Sequence, residues 1–307
     1  MSVEISVVVP LFNEEANLPV LVARLTAALA DESYELRLVD DGSSDTTAAI
    51  LARLAVEDAR IKPVYLARNF GHQPAVTAGL DHAEGTAIIV MDGDMQDPPE
   101  VLPDLIAKWR EGFEVVYAVR TLRKEGPLLR LAYFAFYRIL DRVADTHIPL
   151  DSGDFCLMDR MVVDALASLP ERQRFVRGLR SWVGFRQTGV TYERAARQAG
   201  DSKYSIGGLT RLAVEGLVSF SGQPLRAATV LGGVAAVLSL VLLVWVLWDS
   251  LSSGRAPEGW ASMVTIVLFM SGVQLVSLGV LGEYIRIIFL ESKARPTYIV
   301  RPPRSQK

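Results

Sequence analysis

The chain of 307 residues is long enough for one α/β domain of ordinary size and an appendage. Its net charge of −3 and its pI near 5.8 give no electrostatic basis for binding nucleic acid, which requires a strongly basic face. The single cysteine, Cys156, excludes a disulfide framework and a zinc site built from cysteines, and it is typical of a reducing compartment.

The first 120 residues alternate between predicted strands and helices. Apolar, β-branched runs predict five strands, at 5–9, 36–39, 61–66, 87–91 and 115–119. Helical periodicity between them predicts helices at about 17–30, 44–59, 73–83 and 99–109, with Asn17 capping the first and Ser44 or Asp45 the second. This alternation predicts crossover connections and a mostly parallel sheet covered on both faces, whose ligands bind at the carboxyl ends of the strands.

Polar side chains cluster where three of these strands end. The clusters are Asn13-Glu14-Glu15, Asp40-Asp41 and Asp92-Gly93-Asp94. The turn after the first strand contains no glycine, which excludes a dinucleotide fingerprint, and no P-loop is present.

A pair of carboxylates offers another way to hold phosphates. Asp92 and Asp94, at the end of a buried strand, can reach one divalent ion that also bridges diphosphate oxygens, with Gln96 as a further ligand. Oxygen donors favour Mg²⁺ or Mn²⁺ over zinc. An Asp-x-Asp triplet alone is more often part of a turn without a metal. The prediction of a metal site therefore depends on the position of this triplet at the carboxyl end of a strand.

Two uncharged runs near the end of the chain, 227–248 and 260–282, each reach the ~20 residues that a membrane-spanning helix needs. A mean hydropathy of +0.25 beside 22% charged residues also indicates a soluble part joined to a membrane part. The intervening loop carries one basic residue, Arg255, whereas six follow the second run, so the positive-inside rule predicts that the large domain and both termini are cytoplasmic. A pair of buried core helices is the disfavoured alternative.

The motifs, taken in order, resemble those of the inverting, nucleotide-sugar-dependent glycosyltransferases of family 2 with the GT-A fold. They are most similar to the branch of dolichyl-phosphate mannose synthases and bactoprenol glucosyltransferases, and the resemblance covers nearly the whole chain. It is carried by VVVPLFNEE, VDDGSSDTT, ARNFGHQPAVTAGLDHAEG, MDGDMQDPPE, DSGDFCLMDR, RQAGDSKYS and FSGQPLR. Phe12 stands where tyrosine is usual, and Gly93 stands where alanine is common.

The resemblance implies a role for each matching residue. The nucleoside pocket would be lined by Pro10, Phe12, Glu14, Val39 and Asp41, with Asp41 accepting from a base N–H. Asp92, Asp94 and Gln96, around Gly93, would hold Mg²⁺ or Mn²⁺. Phosphate oxygens would be clamped by Arg120, Arg197 and Lys203, the last two assisting catalysis.

Asp154 occupies the position that the family usually gives to a catalytic base. A lipid phosphate has a second pKa near 6 and is largely a dianion at neutral pH, so little proton abstraction is required. Whether Asp154 is a base or a positioning group therefore stays open. His72 falls within a matching motif and is a candidate pocket residue.

The resemblance and the hydropathy pattern together predict a GT-A domain at 1–205, an interfacial helix region at 206–226, two membrane helices at 227–248 and 260–282, and a basic cytoplasmic tail at 283–307. It implies transfer of one sugar, with glucose from UDP-glucose as the expected donor, to a polyprenyl phosphate at the inner membrane. A processive polysaccharide synthase and a non-catalytic nucleotide-sugar sensor are the alternatives. Whether the chain forms a homo-oligomer, and whether it acts with a flippase for the lipid-linked sugar, stays open.

Overall fold

The structure, a computed structural model, describes residues 3–120, 152–172, 174–192, 223–253 and 259–301. The described residues belong to two compact units. The first contains 3–120, 152–172, 174–192 and 294–301, and the second contains 223–253 and 259–293.

The first unit contains one seven-stranded sheet and six helices among its described residues. The strands are β1 (Ile5–Leu11), β2 (Tyr34–Asp40), β3 (Val64–Tyr65), β4 (Ala87–Val90), β5 (Val115–Arg120), β6 (Ser152–Asp159) and β7 (Gln187–Tyr192). The helices are α1 (Leu18–Ala28), α2 (Thr47–Glu57), α3 (His72–His82), α4 (Leu102–Arg110, after a 3₁₀ turn at Pro99–Val101), α5 (Arg160–Ser168) and α6 (Val176–Trp182). The five strands and four helices predicted within the first 120 residues are all present, with ends shifted by a few residues.

The strand order is β3-β2-β1-β4-β6-β5-β7. Strands β1 to β4 are mutually parallel, and β7 is parallel to β5. Strand β6 is antiparallel to both β4 and β5, between which it lies. The prediction of a mixed α/β domain with a mostly parallel sheet is confirmed, although β6 and β7 were not among the predicted strands.

Strand β1 is buried along its whole length because helices cover both faces of the sheet. Val7 and Val9 pack in the same apolar cluster as Leu21 and Leu25 of α1. Val8 points to the opposite face, where Gly79 of α3 lies so close that an added Cβ would collide with it. Close packing on both faces explains why this strand reads as a continuous apolar run.

The predicted helix caps are only partly correct. Asn17 precedes α1 in a helical conformation (φ −88°, ψ −31°) and donates from Nδ2 to the Glu14 carboxylate at 2.7 Å, so it does not cap the helix. The Asp45 carboxylate accepts, at 3.0 Å, a hydrogen bond from the backbone N–H of Thr47, which is the first residue of α2. Its carboxylate therefore satisfies one of the free N–H groups that every helix start leaves.

The second unit is a pair of long helices, α7 (Gln223–Ser253) and α8 (Trp260–Ser292), which pack against each other. Among the described residues, one helical stretch, Phe269–Ser292, is long and apolar enough to cross a membrane. The apolar stretch in α7, Ala228–Leu242, is shorter than a span. Helix α8 also continues ten residues beyond the predicted end of the second span. Of the predicted interfacial region at 206–226, residues 206–222 lie outside the described residues and 223–226 form the start of α7.

Candidate active site

The turns that follow β1 and β2 are joined by hydrogen bonds. Asn13 has a left-handed backbone (φ 57°), its N–H donates to Ser43 Oγ at 3.0 Å, and its Oδ1 accepts from the Ser44 N–H at 2.8 Å. The Glu14 N–H donates to Thr47 Oγ1 at 3.0 Å. These bonds hold the turns after β1 and β2 together at the carboxyl ends of the two strands.

Asp41 organises a neighbouring loop, residues 68–71, which we call the donor loop. Its carboxylate is only 3% exposed and accepts from the N–H groups of Phe70 (2.7 Å) and Gly71 (2.9 Å). Gly42 has φ +67°, and a Cβ added there would lie 2.5 Å from the Arg68 carbonyl carbon. The donor loop can approach Asp41 because residue 42 is glycine.

The predicted nucleoside residues lie at the carboxyl ends of β1 and β2. Pro10 and Val39 are paired in the register of these strands, and both are buried. Phe12 is 40% exposed just beyond them, and the Glu14 carboxylate accepts from Asn17 Nδ2. The contact of these residues with a nucleoside stays a prediction.

The turn after β4 carries the predicted metal ligands. A Cβ on Gly93 would lie 2.5 Å from Leu11 Cδ2, so this turn packs on the end of β1. Asp94 Oδ1 accepts from the Gln96 N–H at 3.1 Å, across Met95, which has a left-handed backbone (φ 63°). Asp97 accepts a short hydrogen bond from Tyr192 Oη on β7. A glycine and a strained residue thus shape the Asp92–Asp94 turn.

Antiparallel pairing brings Asp154 beside this turn. Val90 of β4 is opposite Cys156 of β6. Continuing this antiparallel register by two residues places Asp154 opposite Asp92. His72 lies between the two carboxylates, with its Nε2 3.1 Å from Asp154 Oδ2 and 3.7 Å from Asp92 Oδ1.

Two further side chains bind the Asp154 carboxylate. Gln73 Nε2 donates to Oδ2 at 3.1 Å, and Arg177 Nε donates to Oδ1 at 3.4 Å. Gln73 Oε1 also accepts from the Val176 N–H at 2.9 Å, which ties the start of α3 to the start of α6. Asp154 is thus held by residues from two helices.

Comparisons with known proteins decide the family. The glycosyl transferase family 2 pattern matches residues 6–167, just over half of the chain. The chain is 45% identical over 302 residues to an uncharacterized glycosyltransferase, YkcC, of Bacillus subtilis, with 97% of this chain and 94% of that protein covered. It is 44% identical over 301 residues to the bactoprenol glucosyl transferase of Shigella phage SfV, with 97% and 98% covered. The chain belongs to glycosyl transferase family 2.

The chain also resembles a more distant protein of known structure. Glucosyl-3-phosphoglycerate synthase from Mycobacterium tuberculosis, solved with Mn²⁺, UDP-glucose and phosphoglyceric acid, is 21% identical. The alignment has a TM-score of 0.48 and covers 70% of this chain and 79% of that one. The assignment of this chain as a GT-A-like glycosyltransferase therefore rests on its sequence relatives and its own sheet.

The negative charge of the Asp92-Gly93-Asp94 turn is suited to a divalent cation. Burial raises the pKa of Asp92 to about 6, with His72 opposing and the carboxylates of Asp97, Asp154 and Asp94 adding to the rise. A bound cation would offset this repulsion, and the oxygen donors of Asp92, Asp94 and Gln96 suit Mg²⁺ or Mn²⁺. In the part of the chain that the structure describes, no three His, Cys, Asp or Glu side chains form a preassembled metal site.

Asp154 is an ionised carboxylate in this setting. Burial by itself would raise its pKa, but the hydrogen bond from His72 and the charges of Arg177 and Arg180 lower it well below its usual range. Burial would lower the pKa of His72, but Asp154 and Asp92 outweigh it and raise that pKa. A carboxylate stabilised in this way is a weak proton acceptor at neutral pH.

Sequence reasoning missed several residues that the fold brings to the site. Gln73, Arg177 and Tyr192 were not predicted, although Gln73 lies in the matching HQPAVTAG motif beside His72. Arg120 ends β5 opposite Tyr192, and its side chain is outside the described set. The other two predicted phosphate ligands, Arg197 and Lys203, lie outside the described residues.

Proposed function

We propose that this family 2 glycosyltransferase moves one glucosyl residue from UDP-glucose to a polyprenyl phosphate, with inversion, at the cytoplasmic face of the membrane. The observation that carries the proposal is end-to-end similarity to proteins named bactoprenol glucosyl transferase, at 42–44% identity over 97% of the chain. This similarity extends beyond residue 167 and includes the two long helices, so it is not confined to the glycosyltransferase domain.

The donor would bind at the carboxyl ends of β1, β2 and β4. Phe12 and the donor loop held by Asp41 would orient the nucleoside, and Asp92, Asp94 and Gln96 would hold Mg²⁺ or Mn²⁺. A cation bound there would supply positive charge that stabilises the diphosphate leaving group. Arg120, Arg197 and Lys203 would bind the same phosphate oxygens.

Asp154 acts in this proposal as a positioning residue. The acceptor phosphate is already largely ionised, so the transfer does not need a strong base. Asp154 instead holds His72 against Asp92 and fixes Gln73 and Arg177 around the reaction centre. A preorganised set of charges of this kind lowers the barrier without rearranging during the reaction.

The helix pair supports a membrane anchor for this chemistry. Large apolar side chains on α7 and α8 are exposed in the second unit, among them Trp248 (75%), Leu275 (69%) and Phe269 (68%). Exposing an apolar surface of this extent to water is unfavourable, whereas contact with lipid acyl chains is favourable. We propose that both helices span the bilayer, with the catalytic domain and both termini in the cytoplasm, as the basic residues after the second run indicate.

The test uses the full chain in nanodiscs, labelled nucleotide sugars and undecaprenyl phosphate, with Mn²⁺, Mg²⁺ or excess chelator. We expect one labelled glucose per lipid from UDP-glucose, little transfer from UDP-galactose or GDP-mannose, and none in chelator. Asp92→Asn and Asp94→Asn should abolish transfer, and Asp104→Asn, an exposed carboxylate on α4, is the matched control.

Other outcomes identify the alternatives. A polymer on the lipid would indicate a processive synthase. Binding of UDP-glucose without transfer under any condition would indicate a sensor. Transfer that proceeds equally well in chelator would show that the metal assignment is wrong.

A further inference from the structure

The chain returns to the catalytic domain after its last long helix. Residues Tyr298 to Arg301, which we call the C-terminal segment, lie antiparallel to β3, with Val300 opposite Leu66. The Ala67 N–H donates to the Ile299 carbonyl at 2.8 Å, and the Arg301 N–H donates to the Tyr65 carbonyl at 2.7 Å. Strand β3 is the edge of the sheet, so the segment covers an otherwise open edge. A basic cytoplasmic tail is predicted at 283–307; its first ten residues are part of α8, and residues 298–301 lie beside β3.

Tyr298 fastens this segment to α3. Its hydroxyl donates to Asp81 Oδ2 at 2.8 Å, and its ring lies 6.3 Å from the His82 ring, centroid to centroid. The ring packs on the small apolar cluster of Val39, Val64, Leu66, Ala75 and Ala78. Phe70 of the donor loop packs on the same cluster. Tyr298 and the donor loop therefore pack against the same apolar cluster.

The C-terminal segment also adjoins the donor loop along the chain. Ala67 is bound to Ile299, and three residues later the Phe70 N–H is bound to Asp41. The chain is thus held by the C-terminal segment at Ala67, immediately before the loop, and by Asp41 at the end of the loop. Because the loop is short, displacement of one end would disturb the other.

We propose that Tyr298 and the backbone of residues 299–301 are positioning elements for the nucleotide part of the donor, acting through the donor loop. The inference rests on the proposed function for the identity of the ligand, a nucleoside diphosphate. The segment does not touch that ligand itself. Its loss should therefore weaken donor binding more than it slows the transfer step.

The experiment compares full-length variants in nanodiscs. Arg301→Pro removes the N–H that binds Tyr65, and Arg301→Ala keeps this N–H while removing the side chain. Tyr298→Ala removes the ring and the hydroxyl, and Tyr298→Phe removes the hydroxyl alone. Two readouts are measured: hydrogen exchange of the peptide that covers residues 66–71, and titration with UDP in the presence of Mn²⁺.

We expect Arg301→Pro and Tyr298→Ala to speed exchange of the Phe70 and Gly71 amides by about tenfold. UDP affinity should fall about fivefold or more, with turnover at saturating donor within about twofold of wild type. Arg301→Ala should behave as wild type, and Tyr298→Phe should lie between.

Two results would overturn the inference: wild-type exchange of residues 66–71 in both disruptive variants, or faster exchange with unchanged UDP affinity in a protein that binds UDP. If the wild-type chain does not bind UDP at all, the proposed function fails, while the exchange data still test the structural link. Exchange in β1 serves as the folding control, and Arg301→Pro is the variant that alters no core side chain.

Discussion

Three side chains of the described site bind the Asp154 carboxylate. His72, Gln73 and Arg177 reach it from two different helices, and the buried Arg180 adds its charge from one turn further along α6. These partners hold the carboxylate ionised and in one orientation. The same contacts make Asp154 a poor base and a good organiser of the groups around Asp92.

Replacing Asp154 tests this role at the level of one residue. Asp154→Asn keeps the size of the side chain but removes the charge that holds His72 and Arg177. We expect turnover to fall by about 100-fold or more, while UDP affinity changes by less than about threefold. Asp164→Asn, on the exposed side of α5, is the control. Turnover within about tenfold of wild type would rule out an essential role.

Gly42 allows a test of the donor loop. Its positive φ and the nearby Arg68 backbone both oppose a side chain, so Gly42→Ala should cost about 2 kcal/mol or more of stability and weaken UDP binding. Gly112 also has a positive φ (+96°), but nothing lies within 4 Å of an added Cβ. Gly112→Ala therefore carries the backbone strain alone. Equal effects of the two substitutions on thermal unfolding and UDP affinity would contradict the close approach at Gly42.

At the scale of secondary-structure elements, a buried polar network joins the amino ends of β1 and β2 to the start of β4. Glu35 is 1% exposed, accepts from Ser6 Oγ at 2.7 Å and from the Glu84 N–H at 2.8 Å, and pairs with Arg37 at 2.9 Å. Ser6 Oγ in turn accepts from the Gly85 N–H at 2.7 Å. This network lies at the end of the sheet opposite the active site and holds the strands in register.

The Glu35 carboxylate should make stability depend on pH. Burial would raise its pKa, but Arg37, Ser6 and the Glu84 N–H together lower it in the folded state. Its contribution is therefore complete above the ordinary glutamate pKa and is lost as pH falls through the lower folded value. We expect Glu35→Gln to lose about 2 kcal/mol at pH 7, with a smaller difference below about pH 4. Thermal unfolding of both full-length proteins across pH 3–8 measures this, and a difference that is independent of pH would contradict it.

The helices and strands within the first 120 residues could be predicted because each depends on local pattern. Leu18, Leu21, Val22 and Leu25 recur at helical spacing and are the buried face of α1. The prediction that Asn17 caps α1 is wrong because its side chain donates to the Glu14 carboxylate instead. Helix propensity does not describe this contact. Strands β6 and β7 were missed because they lie beyond residue 120, where the regular alternation of apolar strand runs and helical periodicity does not continue.

At the scale of the whole molecule, the orientation in the membrane is the main prediction. Labelling with a membrane-impermeant maleimide in intact cells tests it, since the native Cys156 is buried and should react slowly. Arg255→Cys, between the two helices, should react from outside. Val56→Cys, 88% exposed on α2, should react only after permeabilisation. Labelling of position 56 in intact cells would overturn the cytoplasmic placement of the domain.

The sequence by itself determined the alternation of strands and helices, the Asp92-Gly93-Asp94 turn at a strand end and the two uncharged runs, because each is a property of neighbouring residues. Only the tertiary structure decided that β6 runs antiparallel beside β4 and brings Asp154 to His72 and Asp92. It also decided that the C-terminal segment returns to β3. These contacts join residues far apart in the chain, and their geometry follows from strand pairing and packing, which no local pattern records.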